Sequence, residues 1–154
     1  MEKVNQYELL KNTHQEEFDK FPIKFAFTEK QFEESMKELG LTANDTDKVV
    51  GISNAGGFIR KTDVKRFNEM VSRFRKEEEE AIKNDETGEG YIKDMFEYEL
   101  ANHEYGYTYE LDDTLDALGL TINEINKNEK LKHGLQLALE RYKENYEEYD
   151  EEME

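Results

Sequence analysis

Residues 49–84 read VVGISNAGGFIRKTDVKRFNEMVSRFRKEEEEAIKN. Two short apolar runs, Val49-Val50 with Ile52 and Phe58-Ile59, stand on either side of Asn54, Gly56 and Gly57. Apolar runs flanking a Gly/Asn turn read as a β-hairpin. After Arg60 the apolar period lengthens: Val64, Phe67, Val71 and Phe74 recur at helical spacing. Asp63, or Thr62, supplies an N-cap, so a long helix is expected to about Asn84. A hairpin feeding an amphipathic helix places the chain in the α+β class. About five helices packed with a small antiparallel sheet are expected.

Working toward the N-terminus, residues 3–20 read as a helix with Val4, Leu9 or Leu10, and Phe18 as core candidates. The only proline, Pro22, ends it, because proline disfavours helix in the residue before it. Ile23, Phe25 and Phe27 alternate with Lys24 and Ala26, which predicts a short strand. Thr28 followed by Gln31 is a capping box. The helix it opens carries Phe32, Met36 and Leu39 inward and stops at Gly40.

Toward the C-terminus, Asp85 to Gly90 is a polar break. A helix from Tyr91 to about His103 turns Ile92, Met95, Phe96 and Leu100 inward, with Gly106 as the next breaker. Asp112 or Asp113 starts a short helix ending at Leu118 and Gly119, and Thr121 caps a further turn. Glu129 to about Tyr146 is the last helix, with a stripe of Leu131, Leu135, Ala138, Tyr142, Tyr146 and Tyr149. Residues 1–146 are thus expected as one domain, and 147–154 as a frayed acidic tail. Glu38-Leu39-Gly40-Leu41-Thr42 is echoed by Ala117-Leu118-Gly119-Leu120-Thr121. Shared capping chemistry accounts for the echo without a duplication.

Nine Phe and nine Tyr supply large buried areas that a disordered acidic chain lacks. No cysteine is present, which excludes disulfides, thiolate zinc sites and cysteine nucleophiles and suits a reducing cytoplasm. The first residues lack the apolar run of a signal peptide, and no stretch approaches the ~18 apolar residues of a membrane span. Membrane association is therefore not expected.

The net charge of −17 is unevenly placed. Residues 77–116 hold fifteen acids against Lys83 and Lys93, and 140–154 hold eight against Arg141 and Lys143. A local negative field of this kind repels nucleic acid and attracts basic surfaces. Helical carboxylates three or four residues apart lie about 5–6 Å from one another, close to the spacing of phosphates on a duplex. Asp94, Glu97 and Glu104, with Glu110, Asp112, Asp113 and Asp116, are the candidate partner-binding acids. Tyr105, Tyr107 and Tyr109 alternate beside them and suit a protein interface, because each ring offers rigid area and a hydroxyl. A solvated face and core packing are the plainer explanations.

Residues 60–76 form the opposite patch, with seven Lys and Arg against Asp63 and Glu69. In the helix from 63, basic residues come first and Glu77 to Glu80 last, opposing the macrodipole. Arg73–Glu77, Arg75–Glu79 and Lys76–Glu80 also run in the weaker i,i+4 order. Local helix stability does not explain the pattern. Intramolecular pairing, nucleic acid or a second copy in a homodimer would each answer it.

Glu99, Asn102 and His103 are the one enzyme-like group. Glu99 and His103 lie one helical turn apart, a spacing that suits two metal ligands or a carboxylate-oriented base. His14 and His133 are far away in sequence, so no full ligand set is apparent and no cofactor is expected. Asn54-Ala55-Gly56-Gly57 lacks the lysine of a phosphate loop, and Asp45 with Asp47 lacks the spacing of a calcium loop.

Phe21-Pro22-Ile23-Lys24-Phe25-Ala26-Phe27, Gly56-Gly57-Phe58-Ile59-Arg60-Lys61, Glu99-Leu100-Ala101-Asn102-His103-Glu104-Tyr105-Gly106-Tyr107-Thr108 and Asp113 to Thr121 resemble a family of small acidic proteins. These are encoded by phages and mobile elements of low-GC Gram-positive bacteria. The resemblance spans about residues 20–140 and carries no assigned activity, so it transfers no catalytic residues. It implies a phage-type context, in which small acidic proteins are often anti-CRISPR or antirestriction DNA mimics. The expectation is a non-enzymatic inhibitor in the bacterial cytoplasm. It would block the nucleic-acid groove of a basic defence nuclease and bind no nucleic acid itself. The alternatives are a small metal-dependent hydrolase centred on Glu99 and His103, or an oligomeric regulatory or structural phage protein.

Overall fold

The computed structural model describes residues 3–52 and 56–153, with 144–153 described through their backbone alone. The helices are α1 (Gln6–Lys20), α2 (Glu29–Glu38), α3 (Val64–Asn84), α4 (Tyr91–Asn102), α5 (Tyr105–Thr108), α6 (Asp112–Leu118), α7 (Ile122–Asn126) and α8 (Glu129–Met153). One antiparallel hairpin joins β1 (Val49–Gly51) to β2 (Phe58–Arg60), pairing Val49 with Arg60, Val50 with Ile59 and Gly51 with Phe58. The protein is mostly helical with a small antiparallel sheet. Among the described residues it has eight helices rather than about five: six of the segments read as helical form, and the short turns at 105–108 and 122–126 are helices as well. The expected turn residue Asn54, and the side chains of Tyr146 and Tyr149, lie outside the described residues.

Cα packing divides the chain into two compact units, Thr13–Lys76 and Met1–Asn12 with Glu77–Glu154. The charge divides with them. Thr13–Lys76 carries twelve Lys and Arg against eleven Asp and Glu, and the other unit carries nine against twenty-seven.

In the Thr13–Lys76 unit, Met36, Leu39, Ile59 and Met70 are buried. Phe67 takes edge contacts from Phe18 and Phe21, and His14 is buried against the Phe74 ring at 4.1 Å. Thr28 caps α2 by accepting from the Gln31 amide at 3.1 Å, while Gln31 reaches back to the Phe27 amide instead of the cap residue itself. Gly40 (φ 77°) ends α2 in a Schellman turn, with Gly40 N–H donating to Lys37 and Leu41 N–H to Met36. Gly119 repeats these bonds onto Asp116 and Leu115, which accounts for the sequence echo. The strand expected at 23–27 does not form. Lys24 makes a single bridge to Phe58, and Phe25 and Phe27 stay exposed. One bridge beside Pro22 is too little ladder to hold a strand.

The other unit is built on α4 against α8. Ile92, Met95, Phe96 and Leu100 of α4 and Leu131, Leu135 and Ala138 of α8 are buried together with Leu115 and Ile125. The helices come close through Gly134: a Cβ there would lie 2.6 Å from Ile92 Cγ2 and 2.7 Å from the Gly88 carbonyl oxygen. Asp85 organises the polar break before α4. Its carboxylate accepts from the amides of Thr87, Gly88, Gly90 and Ile92. Burial pushes its pKa up, but these four donors prevail and hold it below the usual aspartate range.

Three further expectations change here. Val4 is exposed, and of the two alternatives Leu9 and Leu10 it is Leu10 that packs on the core. Gly106 does not break α4. It lies inside α5, while the chain turns at Glu104 in the left-handed region (φ 57°). The α8 backbone stays helical to Met153, beyond Tyr146, in a run without Gly or Pro after Gly134.

Candidate functional site

The segment from Glu104 to Asp116 collects most of the candidate partner-binding residues. A single helical turn, α5, is held between Glu104 (φ 57°) and Tyr109 (φ 54°). Two non-glycine residues in the left-handed region cost on the order of 1–3 kcal/mol each and persist only where the surroundings impose them. Tyr105 imposes them here. Its ring meets Tyr109 edge-on at 5.6 Å and Tyr142 of α8 at 5.1 Å. Gly106 lies beneath this contact, where a Cβ would meet the Tyr142 ring at an ordinary 3.4 Å. Leu111, Leu115 and Leu118 then fix α6 to the core.

The result is a presented surface. Tyr107 is 88% exposed and Tyr109 49%. Glu104, Glu110, Asp112, Asp113 and Asp116 are exposed, and none forms an ion pair among the described residues. A mostly apolar groove of about 810 Å³, lined by Tyr105, Tyr109, Leu139 and Tyr142 with Gln136, Glu140 and Lys143, borders it. Asp112 and Asp113 also occupy the first turn of α6, where carboxylates favour the helix locally.

Asp94 does not belong to this surface. It is buried, and its Oδ2 accepts from the Gln6 amide at 2.9 Å at the start of α1. Asn5 caps the same helix through Glu8 N–H and donates its side-chain amide to the Asp94 carbonyl. Glu97 is half-buried and paired with Lys93 at 3.7 Å. Both acids lie on α4, whose period turns them away from the solvent-facing row expected from charge alone.

Glu99 and His103 do meet. His103 Nε2 lies 3.2 Å from Glu99 Oε2, and Glu99 is buried. Sequence reasoning missed the other partners: Tyr7 donates its hydroxyl to Oε1 at 2.8 Å and Lys11 Nζ at 3.1 Å. Their i,i+4 spacing on α1 was the available signal. Burial raises the Glu99 pKa, but the Tyr7 and Lys11 hydrogen bonds and the Lys11 and His103 charges bring it below the usual glutamate range. For Tyr7, burial and the Glu99 carboxylate both push the phenol pKa well above its ordinary value. A pocket of about 380 Å³ opens here, lined by Tyr7, Lys11, Glu78, Tyr91, Asn102 and His103 among others. Among the described residues no three His, Asp or Glu side chains gather closely enough to hold a metal ion. Nor is any helix among them long and apolar enough to cross a membrane.

Residues 6–141 match the model of a family described as a family of unknown function, DUF7659. The chain belongs to that family. The DUF7659 match takes in α1 through most of α8, and so both the Glu104–Asp116 surface and the Glu99 pocket. It agrees with the expected family without assigned activity and begins further toward the N-terminus than residue 20. No curated protein and no solved structure matches this DUF7659 chain.

Proposed function

We propose that this chain is a non-enzymatic inhibitor of anti-defence type, from a phage or mobile element, acting in the host cytoplasm. Its acidic surface occupies the nucleic-acid groove of a basic bacterial nuclease, as an anti-CRISPR or antirestriction DNA mimic does. The observation that carries this reading is the Glu104–Asp116 segment: five exposed carboxylates without ion-pair partners among the described residues, around a strained turn that presents Tyr107. Such carboxylates keep their full field for a cationic partner, and steering of this kind raises association rates. The exposed tyrosine adds area that tolerates desolvation.

The test is capture from bacterial lysate at low and high salt, with the wild type beside a variant carrying Lys at Glu110, Asp112, Asp113 and Asp116. The wild type should retain a nucleic-acid-binding protein that excess DNA displaces, and the folded variant should not. Equal capture by the folded variant, or retention insensitive to DNA, would overturn the reading.

The Glu99–His103 pocket supports a second reading, a small enzyme using His103 as an acid or base oriented by Glu99. If it were metal-dependent, zinc or manganese would raise the melting temperature by mass action and His103→Ala would abolish the rise. An unchanged melting temperature in the parent protein would remove the metal-dependent version.

A further inference from the structure

The Thr13–Lys76 unit carries a cationic face that its own side chains leave open. Of the basic residues in 60–76, Arg60 and Arg66 bind Asp63, and Arg73 binds Glu17. Lys61, Lys65 and Lys76 form no ion pair among the described residues. With Asn68, Ser72, Arg73 and one acid, Glu69, they line a shallow trough of about 980 Å³ along α3. Lys65, Asn68, Ser72 and Lys76 follow one face of α3, and Lys61 lies just before its start. Lys61, just before α3, and Lys65, in its first turn, do nothing for the helix itself, since the macrodipole disfavours cations at a helix N-terminus.

We infer that this trough is the seat of α6 from a second copy of the chain, in a two-fold dimer. Local charge complementarity selects a copy over a nucleic acid. The net charge of −17 repels a polyanion and a second copy alike at long range, so the choice rests on the surfaces that meet. The other unit of the same chain carries nine Lys and Arg against twenty-seven Asp and Glu, so every copy brings a complementary surface. Within that unit Asp112, Asp113 and Asp116 of α6 are exposed and form no ion pair among the described residues, which makes α6 the segment offered to the lysines. A two-fold axis makes the contact twice, α6 of each copy on α3 of the other. The dimer would cover the Asp112–Asp116 carboxylates, so it and an external basic partner would compete. The inference rests on the exposure of those residues and not on the existence of that partner.

Sedimentation velocity of the purified full chain tests it without any external partner. At about 0.05 M salt the wild type should sediment as a dimer, and at about 0.5 M, where the screening length falls to a few ångströms, as a monomer. Two variants follow. One carries Glu at Lys61, Lys65 and Lys76, and the other carries Lys at Asp112, Asp113 and Asp116. Each alone should be monomeric at low salt, its dimer weakened by roughly a hundredfold or more by like-charge contacts. Mixed in equal amounts they should form a heterodimer, because both contacts are then complementary again. Circular dichroism establishes that each variant is folded. Should either reversal unfold the chain, the neutral changes Lys65→Gln and Asp113→Asn carry the same comparison, each weakening the dimer. A wild type monomeric at low salt would overturn the inference, as would a dimer indifferent to these changes or a mixture that stays monomeric. Added duplex DNA is the final arm. A DNA complex lost in the Lys61, Lys65, Lys76 variant would assign the trough to nucleic acid instead.

Discussion

The Glu99 carboxylate accepts the Tyr7 hydroxyl at 2.8 Å although 92 residues separate the two in sequence. Lys11 and His103 complete a set of three donors around one buried acid, tying α1 to α4. Buried charge is tolerated only when paired and hydrogen-bonded, and here every part of the requirement is met. Glu99 therefore acts first as a structural tether, and any chemistry of His103 is secondary to it.

This tether has a pH signature. Glu99 is held below its ordinary pKa in the folded chain, so its stabilising contribution is present above the unfolded value and is lost as the pH falls through the folded one. Glu99→Gln should lower stability at neutral pH by about 1–3 kcal/mol and flatten the acid limb of the stability profile below the usual glutamate range. Urea unfolding across that range checks it. An unchanged acid limb would show that Glu99 is not the titrating tether.

Asp85→Ala should remove the acceptor of four backbone amides at the entry to α4. The expected loss is about 1–3 kcal/mol, since three of the four donors left behind, those of Gly88, Gly90 and Ile92, are partly buried. Hydrogen exchange should show faster exchange at Gly88, Gly90 and Ile92 specifically. Uniform acceleration along the chain would point to general destabilisation instead.

Gly134→Ala sets two effects against each other. In a helix interior, alanine is favoured over glycine by about 1 kcal/mol. At this position a Cβ would meet Ile92 and the Gly88 carbonyl oxygen at under 3 Å, and overpacking costs about 1–3 kcal/mol. Because one neighbour is backbone and cannot rotate away, the steric term should win and the melting temperature should fall. A rise would mean that α4 and α8 separate more easily than their packing suggests.

Tyr107→Ser and Asp94→Ala should behave in opposite ways. Tyr107 is 88% exposed, so its loss should change stability by less than about 0.5 kcal/mol while weakening capture of a basic partner. Asp94 is buried on the α1 N-terminus, so its loss should cost about 1–2 kcal/mol without altering capture per folded molecule. Chemical denaturation paired with the lysate capture separates them. The reverse pattern would return Asp94 to the interface.

The local elements were legible wherever their cause lies within a few residues. Thr28 and Thr121 cap their helices through amides three residues on, and Gly40 and Gly119 close Schellman turns within six. The β1–β2 hairpin, the limits of α3 and the inward stripe of α4 follow from turn chemistry and hydrophobic period. The strand at 23–27 failed because a period of two states only that a segment could pair, not that a partner lies alongside it for its length. Gly106 misled because a glycine only permits a break: here it sits inside α5, and the chain turns instead at Glu104 and Tyr109.

From sequence alone came the α+β class, most helix limits, the concentration of acid after residue 77 and the pairing of Glu99 with His103 one turn away. Which acids face outward was a tertiary decision. Asp94 and Asp113 are the same residue type in the same acidic block, yet one is buried under α1 and the other is exposed on α6. The difference arises because residues 1–12 pack with the unit formed by 77–154. Such long-range pairings depend on where distant elements meet, and a linear charge pattern carries no term for that.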